Sequence, residues 1–394
     1  MSSARRVVVL VLAITLSALG QAALLVSPDT GQVGRDFKLI VWAPIRGLMN
    51  GLNPYAFDPT YLQTFGVDLP ASFHAPGLLV LLAPLGLVNE STGLALSWVA
   101  ALAACWYAAM LVIPPSSRRN LVGCVLLGVV LTLSWPATYG LQLAQVAWVP
   151  LVGLALVLRH RGKGSMSVGV ALLTVYPTFA VPFSLLLAGA GRVRPVLRGW
   201  VIAVAVSIPV VVLAAHAAGG MGALASSIIS GLRDPRAFAL PYRVDAIGRV
   251  LSGSLTLTIV SLAVTVAAAL LARRYRVPIT PTTQLWAVTW CLLLFYAQPY
   301  NLVLLLLAAA NVLWTSTHWR VLEWCLAATL GLSLLSSELI DITVIRNLPV
   351  YLFPYKADAA LICLVTILSV TTIRILKATR MTASVEAPAL AAAS

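Results

Sequence analysis

The chain has 394 residues, of which 60% are hydrophobic and only 10% charged, and its mean hydropathy is +0.96. Water-soluble domains carry roughly 25% charged residues, and a soluble fold has too much surface for its volume to hide so many apolar side chains. A water-soluble enzyme is therefore excluded, and the net charge of +14 is to be read by side of a bilayer, with no nucleic-acid partner implied.

At about 20 residues per crossing, the length allows roughly a dozen spans. The expected fold class is an all-α polytopic membrane protein with about 12 transmembrane or partly spanning helices. Residues 1–380 would form one integral membrane domain and 381–394 a disordered cytoplasmic tail. Val7–Val26 follows Arg5 and Arg6 as a signal peptide would, but it is long enough to span and more spans follow, so it reads as an uncleaved first helix. Further apolar runs lie near Gly93–Ile113, Leu121–Ser134, Val146–Leu158, Val168–Val175, Phe179–Gly189 and Trp200–Ala215. The last five lie near Leu251–Ala272, Trp286–Tyr296, Leu302–Trp314, Val321–Ser336 and Ala359–Val370. The five cysteines sit in or beside such runs without paired spacing, and no Walker loop, HExxH or CxxC occurs. Neither a metal nor a cofactor is expected.

Between the first and second spans, Ser27–Glu90 is patterned. Phe37, Ile40, Val41, Ile45, Leu48 and Met49 recur at helical spacing over Asp36–Leu52, which predicts an amphipathic helix at the membrane interface. Gly51-Leu52-Asn53-Pro54-Tyr55 breaks it, and a second juxtamembrane helix is predicted from the Ser72–Pro76 region to Leu87.

One orientation makes the connections alternate. The segments then assigned to the cytoplasm hold 17 of the 26 Lys and Arg, whereas ten of the twelve acids fall on the other side. The positive-inside rule puts both termini in the cytoplasm of a plasma-membrane protein. The mixed-charge loops Ser27–Glu90, His216–Arg249 and Glu338–Lys356 mark the extracytoplasmic working side. Leu121–Ser134 has about 21 Å of helix, against a hydrocarbon core of about 30 Å. The two short hairpins turning at Trp135–Gln145 and Tyr176-Pro177-Thr178 would place polar turns within the membrane, where they line a cavity or mark ordinary tilted spans.

One span, a long outer loop with an early Asp, two juxtamembrane helices and a Pro-marked second span resemble the GT-C superfamily of polytopic glycosyltransferases. More narrowly, the Asp36 region, Gly51-Leu52-Asn53-Pro54-Tyr55, Phe73-His74-Ala75-Pro76 and Leu82-Ala83-Pro84-Leu85-Gly86 resemble glycosyltransferase family 87. Leu143-Ala144-Gln145-Val146 and Ala297-Gln298-Pro299-Tyr300-Asn301 stand where that family shows polar turns. Two departures are His74-Ala75-Pro76 for a Tyr-Pro-Pro entry and Tyr176-Pro177 for Lys-Pro, the latter removing a cation from the donor site.

The resemblance implies an inverting transfer of a hexose, mannose by the family's type, from a polyprenyl-phosphate sugar donor to an extracytoplasmic glycolipid or glycan acceptor. It makes Asp36 the base; by position alone, Asp36 is also a helix N-terminal carboxylate favoured by the dipole. Arg243, Arg249, Arg346 and Lys356 are the candidate cations for the donor phosphate, because guanidinium forks stay charged and bind phosphate in two places. His74, Tyr176, Gln145 and Asn301 are candidate substrate-binding groups, while Asn53 and Tyr55 read as turn formers. The alternative is a transporter or lipid flippase without transferase activity. Against it, the spans carry almost no charge and neither half of the chain resembles the other.

Overall fold

The computed structural model describes residues 3–25, 33–56, 58–67, 74–159, 163–233, 255–295, 299–316, 321–334 and 364–377. Every regular element among them is a helix, in keeping with a membrane-embedded protein. Arg243, Arg249, Arg346, Lys356 and the 381–394 tail lie outside the described residues.

The first helix, α1 (Ser3–Leu25), contains an apolar stretch of 20 residues over Ala4–Ala23. It is tied inward by Gln21, whose Nε2 donates to the Thr132 carbonyl. The outer segment then folds as α2 (Arg35–Phe37), a π-helical stretch (Lys38–Trp42) and α3 (Ala43–Met49), so the predicted amphipathic helix forms with a wider, π-helical turn in its middle. Much of its apolar face is buried within the protein. Phe37, Val41 and Ile45 are buried against Leu78, Leu79 and Leu82 and against Val146 and Val149 of a later segment.

A short helix that the apolar pattern missed, α4 (Pro59–Phe65), follows, started by local chemistry. The Asp58 carboxylate accepts from the Thr60 amide at 2.8 Å, Pro59 opens the first turn, and Gly66 ends it at φ 65°. The second juxtamembrane helix is two pieces, α5 (Pro76–Leu81) and α6 (Ala83–Leu87), broken at Leu82. Asn89, part of a glycosylation-like triplet, caps α7 (Glu90–Val112) by accepting from the Thr92 amide at 2.8 Å.

Next come α8 (Arg118–Leu133) and α9 (Trp135–Gln142), bent by 50° at Ser134, with Pro136 in the first turn of α9. The polar turn of the first short hairpin is thus largely helical. The chain reverses at residues 143–147 into α10 (Trp148–Arg159), then passes through α11 (Lys163–Leu173), α12 (Pro177–Gly189) and α13 (Val193–Ala218). Glycines let these helices touch: a Cβ on Gly153 would stand 2.7 Å from the Gly169 carbonyl oxygen, and one on Gly169 2.6 Å from that of Gly153. Within the predicted His216–Arg249 loop, α14 (Met221–Arg233) is a further helix. The rest comprises α15 (Leu255–Arg274), α16 (Pro281–Leu294), α17 (Leu302–Thr315), α18 (Val321–Leu334) and a helix at 364–377.

Three described helices are long and apolar enough to cross a membrane alone, or four if the bent α8–α9 pair is one span; others are apolar but only 10–17 residues long. Three tryptophans near helix ends are used inside the protein. The indole N–H of Trp200 donates to Ser184 and that of Trp286 to Thr372, while Trp314 fills the space beside Gly123. All three join helices to one another.

Candidate functional site

The site forms where the outer segment docks on the turn after α9. The Gly34 amide donates to the Gln142 carbonyl at 2.8 Å, and the amides of Asp36 and Phe37 donate to the Leu143 carbonyl at 3.0 and 3.3 Å. Gly34 sits at φ 73°, a left-handed conformation that turns the chain into α2. The carbonyls it meets are the unpaired ones at the end of α9, which a helix leaves open and a neighbouring segment here closes. The turn itself holds Ala144 at φ 51°, costly for a residue with a Cβ by about 1–2 kcal/mol, and this backbone throws Gln145 toward the outer segment.

Gln145 is the centre of the arrangement. Its Nε2 donates to Asp36 Oδ2, and its Oε1 accepts from the Tyr176 hydroxyl at 3.3 Å. An amide has one donor end and one acceptor end, so the tyrosine orients it with the donor toward the carboxylate. The Tyr176 ring lies 5.5 Å from that of His74, tilted by 50°. Asp36, Gln145, Tyr176 and His74, four of the residues selected from sequence, are therefore joined in one chain of contacts drawn from four segments. His74 is not the cap of α5, since that place belongs to Ala75.

Burial dominates the electrostatics. It raises the Asp36 carboxyl from 3.8 to about 6, against the lowering effects of the Gln145 hydrogen bond and the nearby Arg35 charge. Burial holds His74 neutral, pushed down to about 4. The result is a carboxyl poised near neutrality, with an uncharged imidazole linked to it only through Tyr176 and Gln145; a carboxyl so poised is suited to proton transfer.

Other candidates fall elsewhere. Asn301 sits at the start of α17, buried, with its Oδ1 lacking a hydrogen-bond partner. Its neighbour Tyr300 stacks near Tyr139 at 6.4 Å and shares with Gln145 the lining of a small cavity that also includes Trp148, Cys105 and Pro136. Asn53 shapes a turn, accepting from the Tyr55 amide at 3.0 Å and donating to Ser227 at 3.2 Å.

Arg35, adjacent to Asp36 and exposed, was not singled out from the sequence although it is the cation acting on that carboxylate. Lys38 pairs with Glu90 at 3.4 Å. Arg46 is consumed structurally, donating to the Leu87 and Val88 carbonyls at 2.8 and 3.0 Å. Among the described residues no group of three or more His, Cys, Asp and Glu is placed to hold a metal ion. A scan against protein-family models finds no match for this chain, and a search of the curated proteins finds none either.

Proposed function

We propose that the protein is a membrane glycosyltransferase that moves a hexose, most simply mannose, from a polyprenyl-phosphate donor to an extracytoplasmic acceptor hydroxyl. The observation that carries this reading is the Asp36 carboxylate, oriented through Gln145 and Tyr176 and raised toward neutral pH. Asp36 takes the proton of the acceptor hydroxyl, whose oxygen attacks the anomeric carbon of the sugar. The bond from that carbon to the phosphate oxygen breaks on the opposite face, polyprenyl phosphate leaves with the electron pair, and the configuration inverts.

The departing phosphate requires cations. Arg35 stands next to the base, and the loops bearing Arg243, Arg249, Arg346 and Lys356 supply the remainder in this reading. His74, neutral and in contact with Tyr176, borders the sugar. In the GT-C plan the lipid tail of the donor stays in the bilayer, and a chain with about twelve full and partial crossings accommodates it at the membrane boundary.

The test is transfer from polyprenyl-phosphomannose by purified Asp36→Asn protein that inserts and folds as the wild type does. Loss of transfer supports the reading, and full retention overturns it. Movement of labelled lipid or solute in proteoliposomes, with no sugar transferred, favours a transporter instead.

A further inference from the structure

The arginines of the bundle fall into two kinds. One kind is used within the protein: Arg6 donates to the carbonyls of Pro115 and Ser116 at 3.3 and 2.7 Å, and Arg159 donates to the Leu111 carbonyl. Arg119 lies 5.3 Å from the Trp314 ring, and Arg374 forks onto Glu323 at 2.7 Å through both nitrogens. The second kind has no such use. Arg192, Arg194 and Arg198 at the start of α13, with Arg273, Arg274 and Arg276 at and beyond the end of α15, enter no ion pair among the described residues. All are exposed except the half-buried Arg192.

Packing brings Arg192 and Arg273, one from each triplet, to the same end of the contact between α12 and α15. A Cβ on Gly189 would stand 2.4 Å from the Ala269 carbonyl oxygen, so α12 and α15 meet backbone to backbone at this point. Arg192 follows Gly189 by three residues, and Arg273 lies one turn past Ala269, about 6 Å of helix. Among the described residues no carboxylate pairs with them. The described acids are Asp36, Asp58, Glu90 and Glu323; Glu323 is held by Arg374, and Asp36 sits by Tyr176 at the far end of α12, about 20 Å away. Beside the arginines the helices present bare apolar surface: Leu197, Val201 and Leu270 are 60%, 67% and 62% exposed.

We propose that this face binds anionic phospholipid. The headgroup phosphates lie against the six arginines, and the acyl chains lie along Leu197, Val201 and Leu270. Guanidinium forks match phosphate oxygens in geometry as well as charge, and unpaired basic clusters at the cytoplasmic ends of spanning helices attract anionic leaflets by roughly fivefold in affinity per cation. The apolar flank selects an amphiphile over a free anion. The proposal stands apart from any transferase activity.

The experiment uses the full chain in detergent micelles, titrated with phosphatidylglycerol or phosphatidylcholine and read by native mass spectrometry and thermal unfolding. Phosphatidylglycerol is expected to give retained adducts and a raised Tm, and phosphatidylcholine neither. The variant Arg192→Gln/Arg194→Gln/Arg273→Gln/Arg274→Gln is expected to lose at least about tenfold in affinity, while Arg118→Gln/Arg119→Gln keeps it. Should the fourfold variant fail to fold, raising salt on the wild type from about 0.05 to 0.5 M is the second measurement, and the adducts are expected to fall away. Equal response to both lipids, undiminished binding by the fourfold variant, salt-insensitive adducts, or the same Tm shift from soluble glycerol phosphate would each overturn the proposal.

Discussion

The amide of Gln145 donates to the carboxylate of Asp36 across 109 residues of chain, and the Tyr176 hydroxyl donates to the opposite end of that amide. A side chain that is both donor and acceptor thus transmits the position of a tyrosine in one hairpin to a carboxylate in the first loop.

Gln145→Leu removes the donor, and a hydrogen bond to a charged group contributes about 1.5–3 kcal/mol. Transfer is expected to fall about ten- to a hundredfold with the protein still folded. Because the Gln145 bond lowers the Asp36 carboxyl, its loss moves the acid limb of the kcat/KM profile to higher pH. A uniform loss with an unmoved profile would mean that Gln145 acts on packing alone.

Tyr176→Phe leaves the ring against His74 but frees the Gln145 amide to rotate. The expected loss in transfer is smaller, about tenfold or less for one neutral hydrogen bond, and Tyr176→Phe combined with Gln145→Leu should be no worse than Gln145→Leu alone. Additive losses would argue that Tyr176 contacts substrate directly.

The pH dependence has a definite sign. Folded Asp36 titrates at about 6 against 3.8 when free, so the folded chain holds this proton more tightly than the unfolded one does. The stabilising contribution is complete below pH 3.8, is lost as pH rises to about 6, and is constant above. The proposed transfer is expected to run oppositely, rising through about pH 6 as Asp36 ionises. Asp36→Asn should therefore abolish transfer while lacking the Tm decline across this window, as differential scanning of both proteins from pH 4 to 8 would reveal.

Gly93→Ala tests the seating of the site. A Cβ there would stand 2.4 Å from the Leu85 carbonyl oxygen and 2.8 Å from the Phe37 ring, next door to Asp36. Overpacking of this kind costs about 1–3 kcal/mol, so faster proteolysis of the outer segment and reduced transfer are expected together.

At the other end, Glu323 is buried and gripped by Arg374 and Ser316. Glu323→Gln leaves the partly exposed guanidinium short of its counter-charge and is expected to destabilise by about 1–3 kcal/mol, the cost of a lost hydrogen bond to a charged group, whereas replacing both partners by leucine should recover most of the loss. Thermal unfolding of the two variants distinguishes the cases.

Hydropathy alone sufficed for an all-helical membrane chain, for the long helices at Ser3–Leu25, Glu90–Val112 and Val193–Ala218, and for a helical outer segment beginning near Asp36, because apolar runs of that length have few other solutions. The small elements escaped it. Pro59–Phe65 exists through an Asp cap and a proline, and Trp135–Gln142 through a bend between two helices, and neither leaves an apolar run to read. That Asp36, Gln145, Tyr176 and His74 share one place was decided only by tertiary packing. Their mutual contacts depend on the carbonyls left open at the end of one helix being closed by the amides of residues 34–37. Hydrogen-bond pairing at such long sequence separation has no periodicity, so no local pattern announces it. The same holds for Arg192 and Arg273, whose charges are visible in the chain but whose nearness rests on the space a missing Cβ leaves at Gly189.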